Sequence, residues 1–288
     1  MRLIPLLVLL VLLVLLATMA PGRSAIPIVA AENFYGGVAE QIGGDQVSIT
    51  SILTNPDQDP HLFTVNTDTA RAVSGAAIVI ESGIDYDPWM EQLDSAHPNP
   101  DRVSITVANL VGAKEGDNPH IWYRPDTMPA LAHKLADVLS KRDPAHAAYF
   151  QSRLTAFLAT LQPVNARIAA LKERFGGTDV LATEPVFGYM AGALGFKMHD
   201  MGFQNHVMNN VEPTARETEE FESLLRGHKV KVLFYNGQAS DPVASRMQDI
   251  AKAAGVPVVG VTETEPAGTT YASWMLSQLD EVEKALAP

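Results

Sequence analysis

Short apolar, β-branched runs alternate with segments of helical period along most of the chain. Residues 26–30, 47–53, 76–80 and 103–107 read as strands. The stretches 33–42, 66–73 and 88–93 between them, and 128–139 after a loop, carry the spacing of half-buried helices. The second half repeats the scheme. Strands are expected at 180–183, 197–199, 230–235 and 257–261, and helices at 185–194, 215–225, 241–254 and 271–286. Strand–helix alternation calls for parallel sheets with crossover helices. Two such halves predict an α/β fold of two similar lobes with mainly parallel sheets.

The segment between the halves behaves differently. Phe150, Leu154, Phe157, Leu161, Val164, Ile168, Leu171 and Phe175 recur at spacings of 4, 3, 4, 3, 4, 3 and 4. That is one sustained helical face. One helix from Pro144 to Phe175 would span roughly 48 Å. Pro144 suits its first turn and Gly176-Gly177 its stop. Pro163 in the interior predicts a kink or a break into two helices. The expected plan is a leader over 1–25, an N-terminal lobe over 26–143, a long linker helix over 144–176 and a C-terminal lobe over 177–288. A stiff connector packed along both lobes would limit hinge motion and leave the cleft between them largely preformed.

The leader changes the picture of where the protein works. Arg2 precedes an apolar run over 3–20 broken only by Pro5, and small residues follow at Ala17 and Ala20. This describes a cleaved secretory signal peptide. The competing expectation is a membrane anchor, because the run reaches the lower end of spanning length. No other segment is apolar and long enough to span a bilayer. The mature chain is therefore expected in the periplasm, without a stable membrane anchor, and as a monomer.

Composition narrows the chemistry. With 33 acidic and 21 basic residues the chain carries a formal charge of −12, and loss of Arg2 and Arg23 with the leader takes it to −14. A chain this acidic is a poor ligand for phosphate backbones, so no nucleic-acid partner is expected. The absence of cysteine excludes a disulfide scaffold, a thiolate zinc site, a cysteine nucleophile and an acylated cysteine anchor. No glycine-rich phosphate loop, nucleophile elbow or His-Glu-x-x-His motif occurs.

In open α/β sheets ligands bind beyond the carboxyl ends of the strands. The first half places His61 there, in Asn55-Pro56-Asp57-Gln58-Asp59-Pro60-His61, and His120, in Asn118-Pro119-His120. Each histidine follows a proline, which fixes the backbone and holds the imidazole in a defined direction. The second half ends one strand at Glu184-Pro185 and another at Thr262-Glu263-Thr264-Glu265-Pro266. Two imidazoles and two carboxylates make a shell for a divalent cation, and the two negative charges balance it. The bland alternative for each is a solvated loop residue or, for Glu184 before Pro185, a group at a helix N-terminus.

Three of these segments carry a family resemblance. Asp59-Pro60-His61-Leu62-Phe63, Asn118-Pro119-His120-Ile121-Trp122 and the Phe187-Gly188-Tyr189 turn, in that order, resemble the ZnuA/TroA-like solute-binding proteins of zinc and manganese ABC importers. The resemblance implies two α/β lobes joined by one long helix, with the metal buried between them. It carries the ligand role over to His61, His120 and Glu184, where zinc receptors usually have a third histidine and manganese receptors a glutamate. It puts the fourth ligand after the last strand, at Glu263, with Glu265 as its rival; the family more often has Asp there. The His-rich loop of many zinc receptors is missing. The implied function is capture of Mn²⁺ or Zn²⁺ as cargo and its delivery to an ABC permease in the inner membrane, with no catalysis. The competing expectations are an exported metalloenzyme built on the same His/Glu site and a surface adhesin.

Other residues are weighed against this site. His206, in a polar loop over 204–210, is a candidate auxiliary residue at the cleft. Met198, Met201 and Met208 with His199 suggest a Cu(I) site, but sparse methionine reads first as core filling. Trp122 is expected to support the His120 loop.

Overall fold

Strand β1 (Ile26–Glu32) is extended because six apolar or small residues precede Glu32 without a helical period, and its last five residues are buried. The computed structural model describes residues 25–55, 60, 63–239 and 241–287. The predicted leader up to residue 24 and His61 lie outside the described residues. Helix α1 (Asn33–Gly43) follows β1 directly and lies against β2 (Val47–Leu53). That approach needs glycine, since a Cβ on Gly36 would stand 2.1 Å from the Ser51 hydroxyl oxygen. Next come α2 (Thr67–Gly75), β3 (Ile78–Glu81), α3 (Pro88–Ala96), β4 (Val103–Thr106) and a single turn, α4 (Val107–Leu110). Val107 thus opens a helix where the sequence pattern extended the strand. Helix α5 (Thr127–Arg142) completes this half.

The connector is a helical path in two pieces, α6 (Ala147–Thr160) and α7 (Gln162–Phe175). Pro163 has no N–H to offer the carbonyl of Ala159, so the ladder is interrupted there. Leu161 keeps near-helical angles of −84° and −13°, and Asn165 N–H donates to its carbonyl at 3.0 Å. The path is therefore kinked rather than folded back.

The second half runs β5 (Asp179–Ala182), a 3₁₀ turn over Pro185–Phe187, α8 (Gly188–Ala193) and the short β6 (Lys197–Met198). It continues with α9 (Met201–Met208), α10 (Ala215–Arg226), β7 (Leu233–Asn236), α11 (Pro242–Ala253), β8 (Val258–Val261) and α12 (Tyr271–Leu286). Helix α9 replaces the polar loop expected around His206. Phe203, Gln204 and Val207 form its buried face, and Asp200 caps it by accepting from Phe203 N–H at 3.3 Å.

The sheets are parallel and share one topology, β2-β1-β3-β4 in the first lobe and β6-β5-β7-β8 in the second. In each, the strand order reverses beside the first strand of the lobe, which opens a crevice at the carboxyl edge. The first half of the connector packs on α1 and α5, the second on α12. One apolar core runs through both lobes and the connector. Its crossing point is a file of rings: Phe34 to Trp122 at 4.9 Å, Phe34 to Trp274 at 5.9 Å, Tyr123 to Phe187 at 5.2 Å and Phe187 to Phe234 at 4.8 Å. Opening the lobes as rigid bodies would expose these rings, which opposes a wide hinge. Among the described residues no helix is long and apolar enough to cross a membrane.

Candidate metal centre

His120 sits at the end of the loop after β4, just before a 3₁₀ turn over Ile121–Tyr123, and is fully buried. Asn118 folds back on it. Its side-chain oxygen accepts from the His120 backbone N–H at 3.1 Å and from Nδ1 at 2.7 Å. An amide oxygen only accepts, so Nδ1 carries a proton, and in the neutral ring Nε2 keeps its lone pair. Trp122 lies edge-on to the imidazole at 5.2 Å between centroids, in the supporting place expected from the sequence. The Asn118 amide group spans the cleft, donating to the carbonyl of Pro185 at 2.7 Å, and the Tyr189 hydroxyl donates back to the carbonyl of Asn118 at 3.0 Å.

The second lobe supplies the carboxylates. Glu263, two residues beyond β8, is fully buried, with Oε2 3.4 Å from His120 Nε2. Glu184, two residues beyond β5, is 5 % exposed. Although it precedes the 3₁₀ turn opened by Pro185, its side chain makes no capping hydrogen bond. It turns instead to Asn236, the last residue of β7. One Asn236 amide group donates to Glu184 Oε2 at 3.1 Å and to Glu263 Oε1 at 2.6 Å. This places a shared donor between two acids that would otherwise repel in a low-dielectric interior. Gln238 steadies the Glu263 loop by accepting from Thr264 N–H at 3.1 Å and donating to its hydroxyl at 2.8 Å. β5 and β7 are the strands on either side of the order reversal, so the Glu184–Asn236 pair lies where the sheet rule puts a ligand.

Tyr86 crosses from the first lobe and donates to Glu263 Oε2 at 2.9 Å. Burial and the adjacent Glu263 carboxylate push its pKa well above the ordinary tyrosine value, so the hydroxyl stays a donor. A strained turn holds it there. Gly83, Ile84 and Asp85 have φ of 79°, 47° and 60°, costly for a β-branched residue such as Ile84. Asp87 pins the turn by accepting from Ser82 N–H at 2.6 Å and Gly83 N–H at 2.8 Å. Behind it Glu32 is fully buried, with its carboxyl within hydrogen-bond reach of Asp87. Burial first, then Asp87 and Glu81, push its pKa well up, and burial raises Asp87 to about 7.

Of the sequence-predicted ligands, the structure sets His120 against Glu263 and links Glu184 to Glu263 through the shared Asn236 amide. His61 lies outside the described residues. Glu265 faces elsewhere: its main chain pairs with Asn33, whose amide donates to the Glu265 carbonyl at 2.7 Å and accepts from its N–H at 3.0 Å. Its carboxyl lines a separate cavity, and burial raises its pKa to about 7. His206 pairs with Glu217 at 3.2 Å and His199 with Asp179 at 2.8 Å, both on the second lobe's own surface. Met201 is exposed rather than core filling. Among the described residues no three His, Asp or Glu side chains alone are close enough to hold a metal ion. Asn236, Tyr86 and Asn118 are the supporting residues that sequence reasoning left without a role. Asn236 could have been found as the first polar residue at a strand end; Tyr86 carries no such local signal.

The model of the family described as zinc-uptake complex component A, periplasmic, matches residues 28–285. The chain is 25 % identical over 292 residues to the manganese-binding lipoprotein MntA of Bacillus subtilis, covering 93 % of each. In structure it resembles the periplasmic zinc-binding protein TroA of Treponema pallidum, with a TM-score of 0.78 and 19 % identity over 92 % of this chain and all of that one. A laminin-binding adhesin of Streptococcus agalactiae has the same fold, with a TM-score of 0.76 and 19 % identity over 91 % of this chain and all of that one.

Proposed function

Since the chain belongs to the periplasmic zinc-uptake complex component A family, we propose that it captures a divalent transition metal, Mn²⁺ or Zn²⁺, between its lobes and hands it to an ABC permease. The observation that carries this is the buried meeting of His120 Nε2 with Glu263 Oε2 at 3.4 Å across the lobes. A lone-pair nitrogen and a carboxylate oxygen, both without solvent exposure, form half of a metal shell. Glu184, held by the same Asn236 amide as Glu263, and His61, by its motif, complete it. Two carboxylates neutralise M²⁺, so a loaded site is nearly charge-balanced inside the protein.

The chain's own groups set the chemistry of capture. Asn118 fixes the His120 tautomer, which presents Nε2 to the ion. Tyr86 and Asn236 hold Glu263 by one oxygen each. Binding displaces protons from any ligand that starts protonated, so affinity falls in acid. No bond is made or broken. The shell mixes hard oxygen with nitrogen donors and suits Mn²⁺, while the usual affinity order favours Zn²⁺ at the same donors. A cleaved leader over 1–25 would deliver the protein to the periplasm as a soluble monomer; the 288 residues include no cysteine to acylate. The lobes correspond to 26–143 and 177–288, with 144–176 between them.

The test is calorimetry of the chelator-stripped mature protein with Mn²⁺ and with Zn²⁺, beside elemental analysis of protein isolated from its own periplasm. One-to-one binding with Mn²⁺ or Zn²⁺ resident is the expected result and identifies the cargo. Absence of saturable binding by either ion overturns the proposal.

A further inference from the structure

Beside Asn33, whose side chain pairs with the Glu265 main chain, lies a second cavity, of about 810 Å³. Helix α1, the outer strand β2, helix α6 and the loop after β8 all contribute to its walls. Its buried anchor is Glu265, 8 % exposed, whose Oε2 has no hydrogen-bond partner among the described residues and lines the cavity. An unpaired buried carboxyl oxygen is costly, and it asks for a donor. The floor beside it is bare: a Cβ on Gly37 would meet only that Oε2, at 3.8 Å.

The charge of the lining is uneven. Glu40 and Asp45 stand exposed at the rim, and Arg153 is the cationic side chain in the wall. Its guanidinium is committed to main-chain carbonyls, Gln41 at 2.6 Å and Glu40 at 3.4 Å. Among the described lining residues, three carboxyl groups against one guanidinium leave room for two positive charges when all three are ionised. The acids are spread from floor to rim and do not converge on a point, and among the described residues no three His, Asp or Glu side chains could hold a metal. We infer that this cavity is a binding site for a small organic diammonium compound, one ammonium donating to Glu265 and the other held at the rim by Glu40 and Asp45. The inference goes beyond the metal-receptor proposal and does not depend on it.

The test is calorimetric titration of the metal-free mature chain with putrescine at low ionic strength. One-to-one saturable binding is expected. Glu265→Gln, which removes the anchoring charge, should weaken it about tenfold or more. Gly37→Leu, which fills the floor and favours the helix, should weaken it as much while its Mn²⁺ titration matches that of the parent. No saturable heat, undiminished putrescine binding by Gly37→Leu, or equal displacement by Mg²⁺ at the same charge concentration would each overturn the inference, the last by reducing it to bulk charge attraction.

Discussion

The Nδ1 of His120 lies 2.7 Å from the side-chain oxygen of Asn118. This contact determines which ring nitrogen faces Glu263. It also belongs to both lobes, because the other end of the same amide donates to the carbonyl of Pro185 at 2.7 Å. The ring's tautomer and the seam between the lobes are thus set by one side chain. Asn118→Ala should lower Mn²⁺ affinity by about 10- to 100-fold, the cost of losing a partner that orients a ligand. Calorimetry checks it, and an unchanged affinity would mean that Trp122 packing alone aims the imidazole.

The two acids after β8 separate cleanly. Glu263 touches His120, Tyr86 and Asn236, whereas only the main chain of Glu265 is tied, to Asn33. Glu263→Ala is expected to cost more than the roughly 100-fold ceiling of a supporting residue. Glu265→Ala should leave metal affinity within about threefold, as for substitutions outside the special classes. Equal losses in parallel titrations would refute the assignment.

As a proposed ligand, Glu184 is expected to set metal preference. Replacing its hard oxygen by imidazole in Glu184→His should raise the ratio of Zn²⁺ to Mn²⁺ affinity, because three imidazoles tilt a shell toward Zn²⁺. Competition titration with both ions reads the ratio directly. A ratio equal to that of the parent would take Glu184 out of the shell.

The acids behind Tyr86 give a pH dependence to the metal-free protein. Glu32 and Asp87 both have pKa values raised by burial, Asp87 to about 7. A carboxyl whose folded pKa lies above its unfolded one stabilises most below the unfolded value, and that contribution is lost as pH rises through the folded value. Melting temperature should therefore fall between about pH 4 and pH 7. Glu32→Gln keeps the shape of the protonated acid without its proton. Scanning calorimetry from pH 5 to pH 8 should show a shallower slope for this variant, and parallel slopes would refute the account.

Much of the architecture was legible from the order of residues. Strand–helix alternation marked both lobes, and the apolar face from Phe150 to Phe175 marked the connector, with Pro163 marking its interruption. These are local signals: periodicity and proline chemistry act within a few residues of themselves. The miss at 201–208 has the same logic in reverse. Polar residues dominate 204–210, the stretch that reads as a loop, and the burial of Phe203, Gln204 and Val207, which depends on the rest of the second lobe, makes 201–208 a helix.

The metal centre divides the same way. Strand-end position and the prolines beside His120 and Glu184 sufficed to single out these residues, because a sheet presents the ends of its strands whatever surrounds it. Tertiary structure set Glu263 rather than Glu265 beside His120, gave Asn236 its two acids, and brought Tyr86 to Glu263 across 177 residues of chain. Each of those depends on how one lobe's crevice meets the other's, a relation set by the shared aromatic core and the connector's packing. Spacing along the chain does not encode it, since residues two apart, such as Glu263 and Glu265, look alike until the fold turns one toward His120 and the other into a separate cavity.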